Sequence, residues 1–227
     1  PFNYIAATSS YINDKYMRQK IQFTQIGLDA KMGSVMTASK KKTIVIFVVG
    51  ETARAASFSL NGYERNTNAL LQKKPVISFS QFYSCGTVTA VSVPCMFSYF
   101  GRSHFSIAQA EQTENLLDVV QRAGYNVTWL DNNSGSKQVA KRVKELSMGD
   151  PKYCAKGECL DDVLIQNLPT KDELAKNDRN QFIILHQVGS HGPKYYDRYT
   201  DEFKKFVPDC RNPILKDCSR ESIINSY

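Results

Sequence analysis

Several groups able to do chemistry sit just beyond apolar stretches of this chain. They are the Glu51 carboxyl after "KKTIVIFVVG", the Thr87 and Thr89 hydroxyls in "SCGTVTAVSVPC", the Asn132 and Asn133 amides after "YNVTWLD", and the His191 imidazole after "QFIILHQVGS". Glu51 and His191 are donor types that zinc accepts, and a bound metal can lower a hydroxyl's pKa enough to make it a nucleophile at neutral pH. Taken one at a time, each has an ordinary structural reading as well. For Thr89 that reading is a helix cap, with the helix starting nearer Ser92 because proline, here Pro94, favours the first helical position. Asn133 suits an Asx turn, and His186, inside an apolar run, reads as a packed core histidine.

The elements that would bring these groups together follow from pattern. Thr43 to Val49 is an unbroken apolar or β-branched run, which reads as a strand of a parallel sheet buried on both faces. A second apolar segment, Val76 to Tyr83, leads into the cysteine loop. "QTENLLDVVQRAG" predicts a helix capped at Thr113, with Glu114 in its first turn and Gly124 as its stop. Asn126 to Leu130 reads as a strand, followed by a basic amphipathic helix through Val139, Val143 and Leu146. "LDDVLIQNL" is helix-like, and Phe182 to Leu185 is a further strand. Residues 1 to 39 are polar and mixed, with an amphipathic helix around Tyr11 to Phe23. Strands alternating with helices imply a largely parallel α/β sheet, in which ligands bind beyond the carboxyl ends of the strands. Glu51, the Asn132/Asn133 pair and His191 are therefore expected on one edge.

The 227 residues, 42% of them hydrophobic, can bury a true core. Cys85 and Cys95, Cys154 and Cys159, and Cys210 and Cys218 fall as three near-neighbour pairs, and closure of three short loops is the simplest of the many possible connectivities. Three disulfides would mean an oxidising compartment; buried thiols are the alternative, and the spacing does not suit a zinc knuckle. Net charge is +7, with a basic run at Lys40, Lys41 and Lys42. That balance favours anionic partners such as a membrane surface, or simply a solvated basic face, and no nucleic-acid-binding motif accompanies it. No apolar run is long enough to span a bilayer, and the opening residues lack the features of a signal peptide. An exported chain without an export signal implies that Pro1 follows an upstream segment such as a membrane anchor.

The stretches "VVGETARAASFSLNGYERNT", "SCGTVTAVSVPCMFS", "WLDNNSGSK" and "HQVGSHGPKYYDRY" resemble, in order, the periplasmic catalytic domain of the phosphoethanolamine transferases. These are bacterial inner-membrane enzymes that modify lipid A and include the mobile colistin resistance proteins. The resemblance implies an alkaline phosphatase/sulfatase-like α/β fold with zinc at the sheet edge. It also implies residues 1–39 as a peripheral segment after an anchor and residues 40–227 as the N-terminal part of the catalytic domain. Glu51 matches a zinc-binding glutamate. Thr89 matches the nucleophile that carries phosphoethanolamine and touches the metal; Thr87 does not align with that role. The family's cysteines at positions 85 and 95 are bonded, which would hold Thr89 towards the metal. Asn133 and Lys137 match residues that hold the substrate head group, and His191 matches a histidine near the metal centre. The implied donor is phosphatidylethanolamine and the implied acceptor is lipid A or another cell-surface component.

Two departures qualify what the resemblance implies. A sulfatase signature places arginine where this chain has Met96, which argues against sulfate ester hydrolysis. The family's remaining zinc ligands come from a downstream Asp-His-Gly-Glu segment and a later histidine, which do not occur before Tyr227. The polypeptide as written is therefore expected to lack transferase activity and to expose apolar sheet surface. A metal-dependent phosphodiesterase or phosphatase, using water as acceptor, and a non-catalytic module binding anionic glycolipid are the alternatives.

Overall fold

The computed structural model describes residues 2–20, 22–39, 41–154 and 159–227. Four strands, β1 (Ile44–Val49), β2 (Asn126–Asp131), β3 (Lys144–Ser147) and β4 (Gln181–His186), form one sheet in the order β1-β4-β2-β3, and every pairing is parallel. The helices are α1 (Phe2–Lys20), α2 (Ser34–Ala38), α3 (Thr89–Phe97), α4 (Ile107–Glu111), α5 (Leu116–Arg122), α6 (Asp162–Gln166), α7 (Lys171–Ala175) and α8 (Arg220–Ser226).

Register decides which loops meet. His186, the last residue of β4, pairs with Val49 at the end of β1 and with Asp131 at the end of β2. Three strands thus stop level with one another, and the segments after them, 50–52, 132–135 and 187–191, emerge side by side. All six residues of β4 are buried. Because side chains alternate across a strand, Phe182 and Ile184 join Val93, Phe97, Leu117 and Trp129 on one face. Ile183 and Leu185 join Leu130, Met148, Val163 and Leu164 on the other.

On the first face, Phe97 fixes α3. Its ring lies 5.4 Å from those of both Phe47 and Trp129, and it is 1% exposed. Burying such a side chain contributes roughly 1.5–3 kcal/mol, and it anchors the helix that opens at Thr89.

Several sequence expectations change here. β1 forms as expected but is covered on one face only: Val45, Phe47 and Val49 pack inward, whereas Ile44, Ile46 and Val48 are exposed. The inner face packs on Phe97 of α3, whereas the side chains of the opposite face stay exposed. The Val76–Tyr83 segment is irregular and carries exposed Ile77, Phe79, Phe82 and Tyr83.

No helix runs through Val139, Val143 and Leu146. Lys137 and Gln138 have φ of 53° and 72°, left-handed values that stop a helix. Tight turns follow, and Leu146 lies in β3 opposite Leu130. Val139 and Ala140 still reach the core, which satisfies the same apolar spacing without a helix. Glu145 closes this turn by accepting from the Ser136 amide and hydroxyl at 2.9 and 2.8 Å.

α5 is capped by Asn115 and not by Thr113. Its Oδ1 accepts from the Leu117 amide, and Asp118 bonds back to the Asn115 amide. Thr113 instead pairs with Thr24, and Glu114 forms a salt bridge to Arg122 at 2.7 Å. The first helix runs over Phe2–Lys20, earlier than expected, and Phe23 lies beyond it against the Arg142 guanidinium. Ile21, within that expected helix, and Lys40, the first of the basic run, lie outside the described residues. The predicted strands after Gly124 and before His186 and the helix in "LDDVLIQNL" all form, the last as α6.

Candidate active site

Glu51 lies two residues past β1, where the Gln187 amide donates to the Val49 carbonyl and the Ser190 amide to that of Glu51. Gly189, with φ of 52°, presses so close that an added Cβ would lie 2.6 Å from the Glu51 carbonyl oxygen. Only glycine fits there without displacing the chain. The Glu51 carboxylate is half-buried and well supplied with donors. Oε1 accepts from the Thr52 hydroxyl at 2.8 Å, and Oε2 from the Thr89 hydroxyl at 2.8 Å and the Asn133 amide at 3.4 Å. Burial alone would raise its pKa; the bonds from Thr52, Thr89 and Asn133, with the charge of His191, outweigh burial and hold it below the usual glutamate value. Thr52 has φ of 57°, a strained value for a β-branched residue of the kind that clusters at functional sites.

Thr89 is the first residue of α3, and the helix therefore starts earlier than the expected Ser92, with Pro94 inside it. Pro94 forgoes one helical hydrogen bond, while Val93, Cys95 and Phe97 around it are buried and hold the turn in place. The cap residue is Val88, which has no side-chain oxygen, so Thr89 is not a cap. Its hydroxyl turns instead to Glu51. Thr87 is exposed.

Cys85 and Cys95 are bonded, tying the loop before Thr89 to the buried face of α3. Cys154–Cys159 and Cys210–Cys218 are the other two disulfides, so all six cysteines pair with their near neighbours.

The loop after β2 supplies Asn133. Its side-chain nitrogen donates to the Gln187 carbonyl at 2.8 Å as well as towards Glu51, and its oxygen accepts from the Ser134 hydroxyl at 3.0 Å. Lys137 turns back onto this loop, donating to the Ser134 carbonyl and hydroxyl at 2.5 and 2.8 Å. A continuous relay of hydrogen bonds thus runs from Lys137 through Ser134 and Asn133 to Glu51 and Thr89. His191 is exposed, with Nδ1 2.8 Å from the Gly192 carbonyl. Asn132 faces away, donating to the Cys159 carbonyl and to Asp161. The two adjacent asparagines therefore serve different purposes.

His186 is fully buried, as a core histidine should be. Its Nδ1 is 2.6 Å from Asp131 Oδ2, its ring meets Trp129 edge-on, and its Nε2 has no hydrogen-bond partner among the described residues. Asp131 also accepts from Trp129 Nε1 and from the amides of Asn133 and Gly135. It thereby shapes the loop that presents Asn133. Sequence reasoning did not single out Asp131, Ser134, Gln187 or Asp161. The turn-forming composition of "DNNSGS" was the only local signal for the first two.

A small cation could touch the Glu51 and Thr89 oxygens together, since they are 2.8 Å apart and both are donor types that zinc accepts. No group of three or more His, Cys, Asp or Glu suited to a metal occurs among the described residues. Glu51 and Thr89 thus fit as two donors of a coordination shell that these residues do not complete.

A four-stranded parallel sheet flanked by helices, with a carboxylate and a helix-initiating hydroxyl joined at its carboxyl edge, defines a sulfatase- and alkaline phosphatase-like α/β domain. Residues 43–227 match the sulfatase family, and the chain belongs to it. Within that family it is similar to the integral membrane lipooligosaccharide phosphoethanolamine transferase A (EptA) from Neisseria meningitidis. That structure matches with a TM-score of 0.89 and 43% identity over 100% of this chain and 42% of its own. Phosphoethanolamine transferase EptA of Escherichia coli strain K12 is 42% identical over 231 residues, 100% of this chain and 42% of its own length. Phosphatidylethanolamine transferase Mcr-1 of Escherichia coli is 42% identical over 200 residues, 83% of this chain and 36% of its own. The chain spans about two-fifths of the length of these curated relatives. No helix among the described residues is long and apolar enough to cross a membrane.

Proposed function

We propose that the protein carrying this chain transfers phosphoethanolamine from phosphatidylethanolamine to lipid A or another cell-surface acceptor, with Thr89 as the covalent carrier. The observation that carries this reading is the Thr89 hydroxyl held on the Glu51 carboxylate at the strand ends. Similarity to the phosphoethanolamine transferases supports the group transferred.

In the first step Thr89 Oγ1 forms a bond to phosphorus, the phosphorus–oxygen bond to diacylglycerol breaks, and the proton of Thr89 leaves as the diacylglycerol oxygen gains one. In the second, an acceptor oxygen forms its bond to phosphorus, the bond to Thr89 breaks, and the hydroxyl is restored. Splitting one displacement into two in this way is covalent catalysis. Glu51 orients the hydroxyl. Asn133 and Lys137 offer donors to phosphoryl oxygens, and the exposed His191 imidazole offers a further polar group for the head group. Glu51 Oε2 and Thr89 Oγ1 are the atoms that would hold zinc, which when bound supplies the lowered hydroxyl pKa that makes an alcohol nucleophilic.

Residues 40–227 form the catalytic portion in this reading and residues 1–39 a peripheral segment, facing the periplasm of a bacterium and attached to its inner membrane. The disulfides support an oxidising compartment. Mass spectrometry of the full-length polypeptide incubated with phosphatidylethanolamine vesicles tests the reading. A phosphoethanolamine adduct on Thr89, lost in Thr89→Ala, is expected. An adduct surviving in that variant, or free phosphoethanolamine as the sole product, overturns it.

A further inference from the structure

Asp161 opens α6, where an aspartate ordinarily caps the helix. Its side chain makes no capping hydrogen bond. Its two oxygens instead accept from two other loops. Oδ1 takes the Asn132 side-chain amide and the Val188 backbone amide, each at 2.9 Å, and Oδ2 takes the Gly189 backbone amide at 2.9 Å. The Cys159 carbonyl, two residues earlier, accepts from the same Asn132 amide at 3.0 Å.

The residues so gripped flank the site. Asn132 precedes Asn133, whose amide reaches Gln187 and Glu51. Val188 and Gly189 follow Gln187, and Gly189 is packed against the Glu51 backbone. One carboxylate therefore joins the loop after β2 to the loop after β4 at the point where both close on Glu51. Hydrogen bonds to a carboxylate are roughly twice as strong as neutral ones, and this carboxylate is half-buried. We propose that Asp161 is a positioning residue: it locks the two loops together so that Asn133 and Gly189 hold Glu51, and with it Thr89, in the reactive arrangement.

The proposal rests on the transferase reading for its catalytic consequence, and the test separates the two. Asp161→Asn keeps the side chain's size but leaves it a single accepting oxygen for three donors. Amide hydrogen exchange on the full-length protein, which needs no substrate, should speed up about tenfold or more at Val188 and Gly189 while Ile184 in β4 is unaffected. The rate of Thr89 loading should fall by about 10- to 100-fold, the scale of a misplacement near 1 Å, with little change in donor KM. A side chain serving only to fill space would leave both readouts at wild-type values in this isosteric variant. Unchanged exchange at those two amides, or loading within about twofold of wild type, overturns the proposal. Should Asp161→Asn fail to accumulate folded, Asn132→Ala cuts the two bonds from the β2 side, to Asp161 and to the Cys159 carbonyl; faster exchange at Val188 and Gly189, which bond to Asp161 from the other side, then supports the clamp, and exchange unchanged at those two amides defeats it. If the wild-type protein forms no adduct, the transferase reading fails and the exchange data decide the clamp alone.

Discussion

Thr89 Oγ1 and Glu51 Oε2 lie 2.8 Å apart across 38 residues of sequence. Each is mounted on a separate element, Glu51 just beyond β1 and Thr89 at the start of α3. The two elements are joined beneath the site by the contact of Phe47 in β1 with Phe97 in α3. That aromatic contact couples the two elements that carry the reactive groups.

Replacing Phe97 by alanine removes that contact and the one to Trp129. The expected cost is about 3–5 kcal/mol, the range for emptying a large core site, read as a lowered urea midpoint. Phe97→Leu should cost less, and Thr89 loading should fall in step with the loosened α3.

Gly189→Ala tests the close approach of the two loops. The new Cβ would meet the Glu51 carbonyl, and φ of 52° is unfavourable for alanine. A loss of about 1–3 kcal/mol in thermal or urea unfolding is expected. A stability equal to wild type would show that the chain accommodates a side chain there.

Acid should weaken the fold through Asp131 and Glu114. Burial raises the pKa of Asp131, but bonds from His186, Trp129 and Gly135 outweigh it, and its folded value lies below the ordinary aspartate range. Glu114 is likewise held low against burial by Arg122 and the Ile26 amide. A depressed carboxylate contributes stability that is complete above its unfolded value, about 3.9 for Asp and 4.3 for Glu, and is lost as pH falls through the lower folded value. Urea midpoints should therefore show no loss from these two groups between about pH 5 and 7 and drop below about pH 4. Asp131→Asn should be less stable at neutral pH and show a shallower acid decline.

Opening the Cys85–Cys95 bond frees a loop with a sequence separation of 10. Loop-closure entropy puts the loss at about 3 kcal/mol. Equilibrium unfolding of Cys85→Ala/Cys95→Ala measures it, and Thr89 loading in the same protein should fall because the loop before the nucleophile gains freedom.

The outer face of β1 and the segment from Val76 to Tyr83 together expose Ile44, Ile46, Val48, Ile77, Phe79 and Phe82. Apolar exposure of this kind drives association. The 227-residue polypeptide should self-associate at micromolar concentration in sedimentation velocity, and Ile77→Ser/Phe79→Ser should shift it towards monomer.

Local signals in the sequence determined a good deal. Apolar runs of strand length set β1, β2 and β4, their alternation with helical periodicity set the parallel sheet, and near-neighbour spacing made the three cysteine pairs that form the simplest connectivity. The polar residues beyond Val49, Asp131 and His186 marked the edge where chemistry would lie. These features were legible because periodicity and loop closure act over a few residues. Only the tertiary structure decided the rest. Apolar spacing from Val139 to Leu146 is the same for a helix and for a turn leading into a strand, and the left-handed backbone at Lys137 and Gln138 selects the second. The burial of one face of β1 alone depends on which layers lie beside it. The division of labour between Asn132 and Asn133, and the reach of Asp161 to Val188 and Gly189, depend on hydrogen bonds between residues that are 27 to 82 positions apart. Such bonds leave no periodic trace in the chain, because they exist only after strand register has brought the loops to a common level.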